Sequence, residues 1–212
     1  MTNNKNVIMR LSGYKNALNR LKDIGFVKVY SDNLGDSLGI SPVQVRKDFS
    51  VFGITGNKKG GYIIEELIEN LNKILGKNVV QKVIVIGVGN IGTALMNYSG
   101  FENEGIEIAA AFDINPGKNN GMGNMVIKPM EELEAIIKNE DVRLAILAVP
   151  HEVAQSIADR IIKAGVKGIL NFAPINLNVP IGAVVNNVNL ELELENVIYF
   201  VNAQNQIKEG IK

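Results

Sequence analysis

The chain has 212 residues, of which 46% are hydrophobic and 21% are charged, so it is long and apolar enough to build its own cores. The absence of cysteine excludes disulfides and thiolate chemistry, and no apolar run approaches the roughly 18 residues needed to cross a bilayer, so we expect a cytoplasmic protein without a membrane role. The formal net charge is zero, but residues 1–80 hold 12 basic against 7 acidic side chains and residues 81–212 hold 10 against 15, which indicates different partners for the two halves.

A long helix is predicted first, because apolar residues recur at three- and four-residue steps from Val7 to Leu21, before Gly25. Two short helices should follow. Ser31 is placed to cap a helix over residues 32–38, and the hydroxyl of Ser41, followed by Pro42 at the first helical position, opens another over residues 41–49. This spacing is typical of a helix-turn-helix.

The second helix of the pair carries the side chains expected to read DNA. We predict that Val43, Val45 and Phe49 face the core, which leaves Gln44, Arg46 and Lys47 exposed beside the Ser41 hydroxyl. Arg, Lys and Gln are the residue types that reach guanine and adenine edges in the major groove, so this is the candidate recognition helix. The alternative is an ordinary solvated helix followed by a loop.

Residues 51–64 mix β-branched and aromatic residues with four glycines, which predicts two short strands around a tip at residues 56–61. Lys58 and Lys59, followed by the slim backbone of Gly60, could approach a phosphate or a narrow minor groove. A helix from about Glu65 to Gly76 should close this part of the chain. We therefore predict a winged-helix DNA-binding domain over residues 1–78.

From residue 82 onward the chain alternates apolar runs with helical segments, which indicates a parallel sheet of the α/β class. Strands are predicted at residues 83–86, 108–112, 144–149 and 168–170, with a further strand at 183–185. This predicts a Rossmann-type domain over residues 79–188, followed by a separate C-terminal segment over residues 189–212.

A glycine-rich turn follows the first of these strands and leads into a helix. In this turn, Gly87 allows a tight bend, Gly89 allows a pyrophosphate to approach the backbone, and Gly92 allows close helix packing; Val88, Asn90 and Ile91 complete the motif. Asp113 ends the next strand, where a carboxylate can accept hydrogen bonds from ribose hydroxyls and would repel a 2′-phosphate. The sequence thus favours NAD(H) over NADP(H). The alternative is a glycine turn that only packs a helix.

Other strand ends should flank the same crevice, because ligands of open α/β sheets bind outside the carboxyl ends of the strands. A loop lysine, Lys118, could reach a ribose or phosphate, or could simply be solvated. The remaining expected nucleotide contacts are Ile114, Ala148, Val149, Pro150, Asn171, Phe172, Ala173 and Pro174.

The last segment is predicted to be a helix, with Asn189 as its N-cap and Glu191 and Glu193 in its first turn. The alternation of Leu190, Leu192 and Leu194 leaves a strand as the alternative. An apolar helix at the end of a chain is expected to pack against another surface. That surface belongs either to its own domain or to a two-fold partner, with which the helix could be exchanged between protomers.

Several motifs in the right order resemble the redox-sensing transcriptional repressors called Rex, over nearly the whole chain. The matching segments are residues 44–48, Gly61-Tyr62, residues 87–92, 110–113 and 168–174. The resemblance implies a homodimer with swapped C-terminal helices, which binds a palindromic operator and releases it when NADH binds. It also implies that Arg46 and Lys47 read DNA and that the lysine-bearing wing contacts the minor groove.

The chain departs from the family pattern at a coupling position. Asn16 and Asn189 stand where family members often carry an arginine and an aspartate, which are thought to form an ion pair near a tyrosine that matches Tyr98. Two asparagines cannot form that pair, which puts the strength or direction of the switch in question. The wing also has Lys58-Lys59-Gly60 where an arginine-glycine step is common.

Two other functions compete with a repressor. An NAD-dependent oxidoreductase is the first, with His151 as its candidate acid or base, although no separate substrate domain remains in the chain. The second is a Rossmann protein that binds another adenine ligand, such as coenzyme A, with the helical domain serving protein contacts. The sequence favours a repressor without catalytic residues and without a metal.

Overall fold

The structure is a computed structural model that describes residues 5–56, 60–119 and 125–209. Residue contacts divide the chain into two compact units, Met1–Val80 and Gln81–Lys212. Each unit has hydrophobic clusters of its own.

In residues 5–56 and 60–80, the first unit forms four helices and one pair of short strands. The helices are α1 (Lys5–Asp23), α2 (Ser31–Leu38), α3 (Pro42–Val51) and α4 (Ile64–Ile74), and the strands are β1 (Lys28–Val29) and β2 (Tyr62–Ile63). Side chains from all four helices meet in one core, with Tyr14 and Phe49 as its largest fully buried members. Their rings pack edge to face with centroids 5.3 Å apart, which joins α1 to α3.

The predicted helix-turn-helix is confirmed in α2 and α3. The backbone N–H of Gln44 donates to Ser41 Oγ over 3.2 Å, so Ser41 caps α3 and Pro42 is its first residue, as expected. The cap of α2 was placed one residue too late: Ser31 is already helical, and Tyr30 is the N-cap, with its N–H held by Asn33 Oδ1 at 3.2 Å. The helix ends at Gly39 in the left-handed conformation, where the N–H of Ile40 donates to the Gly35 carbonyl over 2.9 Å.

Of the two strands predicted within residues 51–64, the second is present as β2, but the segment before the tip forms no strand in its described residues 51–56. Val51 is the last residue of α3, and the chain then turns at Gly53, with φ of +70°, to bury Ile54 in the core. Strand β2 pairs antiparallel with β1, more than thirty residues earlier in the chain. Of the β-branched residues in this segment, Ile54 and Ile64 are buried in the core, whereas Val51 and Ile63 are exposed.

The second unit contains a six-stranded sheet. Its strands are β3 (Gln81–Ile86), β4 (Ile106–Asp113), β5 (Ile127–Pro129), β6 (Leu144–Leu147), β7 (Gly168–Asn171) and β8 (Val184–Asn187). All neighbouring strands are parallel, in the order β5-β4-β3-β6-β7-β8. This is the Rossmann order, in which the strand sequence reverses between β3 and β6. The predicted α/β sheet is confirmed, although sequence inspection missed the three-residue strand β5.

Helices cover the two faces of this sheet unequally. The connecting helices are α5 (Asn90–Met96), α6 (Gly100–Asn103), α7 (Leu133–Asn139) and α8 (His151–Ala164), with short 3-10 turns at Pro116–Asn119 and Met130–Glu132. On one face, α7 and α8 bury a large apolar cluster that includes Leu133 and Ile161. On the other face, a smaller cluster lies beneath side chains of α5 and α6, and an apolar groove of 280 Å³ opens along β6 to β8.

The chain ends in helix α9 (Leu190–Glu209), which confirms the predicted helix and excludes the strand alternative for this segment. Asn189 Oδ1 accepts the N–H of Leu192 at 3.1 Å, so Asn189 is the expected N-cap. Within residues 190–204, the large apolar side chains of α9 are exposed within the chain: Leu190, Leu192, Leu194, Val197, Ile198, Tyr199, Phe200 and Val201.

Candidate functional site

The glycine turn between β3 and α5 has three glycines with three different surroundings. A Cβ built on Gly87, whose φ is +89°, would lie 2.4 Å from the Ala148 carbonyl oxygen. A Cβ on Gly92 would lie 1.9 Å from the Gly87 carbonyl oxygen. A Cβ on Gly89 would meet no atom within 4 Å. Gly87 and Gly92 are therefore required by the fold, whereas Gly89 faces open space.

Asp113, at the end of β4, is tied to the same turn. One carboxylate oxygen accepts the backbone N–H of Val88 at 2.8 Å, and the other accepts the N–H of Asn115 at 2.8 Å. A carboxylate has about four acceptor positions, so two remain for other donors. Asp113 thus connects two strand ends and can still accept hydroxyl groups from a ligand.

A cavity of 530 Å³ opens at the carboxyl ends of β3, β4 and β6, beside the point where the strand order reverses. Its lining is mostly apolar, as is usual for small-molecule sites. The structure brings seven of the predicted residues to this cavity: Gly87, Gly89, Asp113, Ile114, Ala148, Val149 and Pro150.

Among the predicted nucleotide residues with described side chains, the others do not line this cavity. Val88, Asn90, Ile91 and Gly92 shape the turn, and Lys118 lies in the 3-10 turn after β4. The loop of Asn171, Phe172, Ala173 and Pro174 follows β7, one strand further along the same edge of the sheet.

Asn171 is fully buried, and its side chain is bonded inside the protein. Its amide nitrogen donates to the carbonyl oxygens of Ala173 and Ile175 and to Asn187 Oδ1, and its amide oxygen accepts the N–H of Ala173. This network joins the loop after β7 to strand β8. The side chain of Asn171 therefore shapes the loop, which leaves any contact with a ligand to the backbone.

Sequence reasoning missed the wall of the cavity formed by α8. Val153, Ser156, Ile157 and Arg160 recur at three- and four-residue steps after Pro150, and all line the cavity. This periodicity was visible in the sequence and places the four side chains on one helix face. Met130 also lines the cavity, but no motif marks it.

Arg160 is held in place at the rim of the cavity. Its guanidinium donates to both carboxylate oxygens of Glu134, over 2.8 and 3.1 Å, and to the Met130 carbonyl over 3.0 Å. This bidentate contact raises the pKa of Arg160 and lowers the pKa of Glu134. The charge of Arg160 is thus compensated within the protein.

Tyr98 does not line the cavity and is largely exposed. Its ring packs edge to face on Phe101, with centroids 5.1 Å apart. A Cβ on Gly100 would lie 2.4 Å from the Tyr98 ring, so Gly100 allows this ring position. Asn16 is exposed on α1, and the side chain of Asn189 is engaged as the cap of α9.

The candidate recognition helix α3 presents a face that differs from the predicted one. Val45 and Phe49 are buried as expected, but Val43 is 66% exposed and does not belong to the core. Val43 precedes Val45 by two residues, about 200° around a helix, and so lies on the opposite side. The exposed face therefore consists of Val43, Arg46, Lys47 and Ser50.

Gln44 was expected to be exposed, but it is half-buried and its amide donates to Asp48 Oδ1 over 2.7 Å. Asp48 is 2% exposed and also accepts two bonds from Arg10, at 2.6 and 2.8 Å, and one from Tyr14 Oη at 2.9 Å. Burial alone would raise the pKa of Asp48, but the bonds from Arg10, Gln44 and Tyr14 outweigh it and lower the pKa. This polar cluster, Arg10, Tyr14, Gln44 and Asp48, fastens α3 to α1.

Arg46 is exposed, and its Nη1 donates to Ser31 Oγ over 2.8 Å, with Asp32 Oδ1 at 3.9 Å. These contacts direct its guanidinium toward the start of α2. In the wing, Gly60 precedes Gly61, whose φ is +68° and whose Cβ would lie 2.6 Å from the Val29 carbonyl oxygen. Lys58 and Lys59 lie outside the described residues.

Two further observations bear on other functions. His151 does not line the cavity, and its Nδ1 lies 3.5 Å from a carboxylate oxygen of the neighbouring Glu152. In the described ranges, no group of three metal-ligating side chains is found, and none of the helices there is long and apolar enough to span a membrane.

Comparisons with known proteins match both units. The family model described as "CoA binding domain" matches residues 78–175, and the one described as "Putative DNA-binding protein N-terminus" matches residues 5–50. A protein of Desulforamulus reducens named "Redox-sensing transcriptional repressor Rex" is 41% identical over 189 residues, covering 89% of this chain and 90% of the relative. A protein of the same name from Clostridioides difficile is 39% identical over 210 residues, covering 95% of this chain and 98% of the relative.

Solved structures agree with these matches. The crystal structure of RSP, described as a Rex-family repressor, superposes with a TM-score of 0.89 at 34% identity over the full length of both chains. RSP in complex with β-NADH gives a TM-score of 0.86 at 35% identity, over 99% of both chains. RSP in complex with β-NAD+ and operator DNA gives a TM-score of 0.88 at 36% identity, over 99% of this chain and 97% of RSP.

Proposed function

Because this chain belongs to the Rex family of redox-sensing transcriptional repressors, we propose that it is an NAD(H)-responsive DNA-binding repressor that releases a palindromic operator when NADH binds. One observation carries this proposal: a single chain combines a helix-turn-helix with a ligand cavity at the strand-order reversal of a Rossmann sheet. The proposal explains why the front of the chain is basic and the rest is acidic.

The cavity fits a dinucleotide. Gly89 leaves open the space that a pyrophosphate needs for close approach to the backbone, and Asp113 keeps free acceptor positions for ribose hydroxyls. The apolar wall of Val149, Pro150 and Ile157 can cover a base. The nicotinamide of a bound cofactor supplies the signal, since its reduction removes one positive charge. The loop of residues 171–174 and Tyr98 are proposed to lie on the nicotinamide side.

The DNA-reading surface is proposed to comprise Arg46 and Lys47 on α3, with Ser41 and Gly60 near the backbone and Lys58 and Lys59 at the minor groove. Arg and Lys reach guanine O6 and N7 in the major groove. Arg46 must exchange its contact with Ser31 for one with DNA, which costs little at an exposed site. Gln44 is bound to Asp48, so we propose that it positions α3 instead of reading a base.

We propose a homodimer built through α9. Eight exposed apolar side chains on one helix are costly in water, and the groove beside β6 to β8 is lined almost entirely by apolar atoms. A two-fold partner whose α9 covers such a surface would bury both, by exchange of the helices. Two recognition helices related by a two-fold axis then match the two halves of a palindromic site.

In this proposal, the switch is a shift between two dimer arrangements, one of which binds DNA. NADH can move that equilibrium only by binding the two arrangements with different affinities. Asn189 caps α9 and cannot form an ion pair with Asn16, so we propose that other contacts couple the nucleotide site to DNA binding in this chain.

We propose that the protein acts as a repressor and has no enzymatic activity. The relatives are named repressors, and His151, the candidate acid or base, does not line the cavity. Incubation with NADH and a panel of carbonyl substrates should give no turnover. Measurable turnover would support the oxidoreductase alternative. We also place the protein in the cytoplasm, where operator DNA is.

One comparison favours a different ligand, since the matching family model is described as a coenzyme A binding domain. Coenzyme A carries an additional phosphate on its ribose, which the carboxylate of Asp113 would repel. We expect coenzyme A not to compete with NADH in a fluorescence titration. Competition at similar concentrations would favour coenzyme A.

The central experiment measures operator binding with each redox form of the nucleotide. A labelled duplex, selected by the full-length protein from a random library, is titrated in fluorescence anisotropy at fixed salt. We expect saturating NADH to weaken binding by about tenfold or more, and NAD+ by less than about twofold, within the usual range of allosteric coupling. Equal effects of the two nucleotides would overturn the redox-sensing function and leave DNA binding intact.

A further inference from the structure

The exposed residues of α3 include an apolar side chain in the first turn, Val43, and another at the last residue, Val51. Val43 is the second residue of the helix, 66% exposed, and lies one turn before Lys47 on the same face. The buried face of the helix is already complete with Val45, Asp48 and Phe49. Val43 therefore contributes little to the core of its own unit.

The position of Val43 is the one from which a recognition helix meets base pairs. In helix-turn-helix proteins, the N-terminal residues of the second helix contact base edges in the major groove. Here Ser41 caps the helix, Pro42 has no N–H to offer, and the Gln44 amide is bonded to Asp48. In the first turn of α3, Val43 is the exposed side chain that projects away from the core.

The chemistry of valine limits what it can recognise. It has no hydrogen-bond donor or acceptor, so it gains nothing from the polar edges of guanine, adenine or cytosine. The one apolar group that the four bases present in the major groove is the C5-methyl group of thymine. An exposed valine next to Arg46 and Lys47 adds an apolar contact to a reading surface that is otherwise polar.

We propose that Val43 is a specificity-determining residue that contacts a thymine methyl group in each half of the operator. The inference rests on the proposed function, since it requires that α3 enters the major groove. Val43 then selects thymine at one position per half-site, beside the base pairs read by Arg46 and Lys47.

The test removes the thymine methyl group and the Val43 side chain separately. The full-length protein first selects a duplex from a random library, and each thymine pair related by the two-fold axis is then replaced by deoxyuridine, which lacks only the methyl group. Affinities of the wild type and of Val43→Ala are measured by anisotropy at fixed salt with saturating NAD+. The two changes form a double-mutant cycle.

For the wild type, we expect one thymine pair whose replacement weakens binding about fifteenfold, which is about fourfold per methyl contact. Val43→Ala should weaken binding to the thymine duplex to a similar extent. In Val43→Ala, the same thymine-to-deoxyuridine replacement should change affinity by less than about twofold, because the two Cγ methyl groups that reach the thymine methyl are gone.

Val51 provides a matched control. It is 67% exposed, ends the same helix, and lies about 12 Å along the axis from Val43. Val51→Ala should leave the affinity and the thymine preference unchanged. Circular dichroism should show that both variants remain folded, since both side chains are exposed.

Three outcomes would overturn the inference. If no thymine is sensitive to loss of its methyl group, or if Val43→Ala weakens the thymine and deoxyuridine duplexes equally, Val43 does not read thymine while the proposed function stands. If the protein selects no duplex above non-specific DNA, the proposed function fails as well.

Discussion

The N-terminal unit and the C-terminal helix treat their apolar residues in opposite ways. In the first unit, α1, α3 and α4 bury Leu11, Phe49 and Leu71 completely against one another. In α9, by contrast, side chains such as Val197, Ile198 and Phe200 stay exposed within the chain. The first unit thus has a core of its own, beside exposed side chains such as Phe26 and Val27, whereas α9 becomes energetically reasonable only when another surface covers it.

The two units also differ in how they use polar groups. The cluster of Arg10, Tyr14, Gln44 and Asp48 satisfies its buried carboxylate with bonds from the same unit. The nucleotide cavity instead leaves open space at Gly89 and spare acceptor positions on Asp113. This difference separates a region that positions a rigid reading helix from a region built to accept a ligand and a partner.

The largest effect should come from substitutions that prevent another surface from packing on α9. The double variant Val197→Glu/Val201→Glu places two charges on one face of the helix, and burial of unpaired charges is very unfavourable. We expect the dimer dissociation constant to rise by more than about a hundredfold in sedimentation equilibrium. Gln204→Glu, which adds a charge at an exposed polar position of the same helix, should leave it unchanged. A variant that remains dimeric would show that α9 is not the interface.

The next largest effect should come from the polar cluster of the first unit. Asp48→Ala leaves the partly buried guanidinium of Arg10 without its carboxylate, which should cost about 3 kcal/mol of unfolding free energy. Hydrogen exchange should speed up in α1 and α3 but not in α8, which belongs to the other unit. Glu69→Gln, which removes an exposed ion pair with Lys73 on α4, should have no resolvable effect. If the amides of α1 and α3 exchange as slowly in Asp48→Ala as in the wild type, the polar cluster does not hold α3 against α1.

Two glycine variants distinguish a residue that NADH binding requires from a residue that folding requires. Gly89→Ala adds a Cβ where no protein atom lies within 4 Å, so the thermal midpoint should stay the same while NADH binding weakens by about tenfold in calorimetry. Gly92→Ala should instead lower the thermal midpoint, since its Cβ would overlap the Gly87 carbonyl. Unchanged NADH affinity in Gly89→Ala would favour a turn that only packs a helix.

The smallest effect concerns pH. The pKa of Asp48 is lower in the folded protein than its ordinary value of 3.8, so its charged form stabilises the first unit above that value. This contribution should be fully present at neutral pH and be lost as the pH falls through the folded pKa. Urea unfolding monitored by α1 and α3 should therefore show a loss of stability below about pH 4 that is absent in Asp48→Asn. The same acid dependence in both proteins would assign it to other carboxylates.

Short-range patterns were predicted well because their causes are local. Ser41 and Asn189 cap helices through their own side chains, and Gly87 and Gly92 are required by a turn of six residues. The cap of α2 and the orientation of Val43 were local errors, and the other errors came from contacts between distant segments. Strand β2 pairs with β1 instead of a neighbouring strand, and the inward face of α3 is set by Arg10 and Tyr14 on α1.

The sequence by itself determined the helices of the first unit and α9, five of the six strands of the sheet, the glycine turn with its acidic partner, and the resemblance to the Rex family, because these depend on residue types at short spacings. Only the tertiary structure decided that the Asn171 side chain bonds to its own loop and to Asn187, that α8 contributes Arg160 to the cavity, and that Gln44 turns toward Asp48. The physical reason is that a side chain's surroundings are set by which distant segments pack against it, and local periodicity carries no record of that choice.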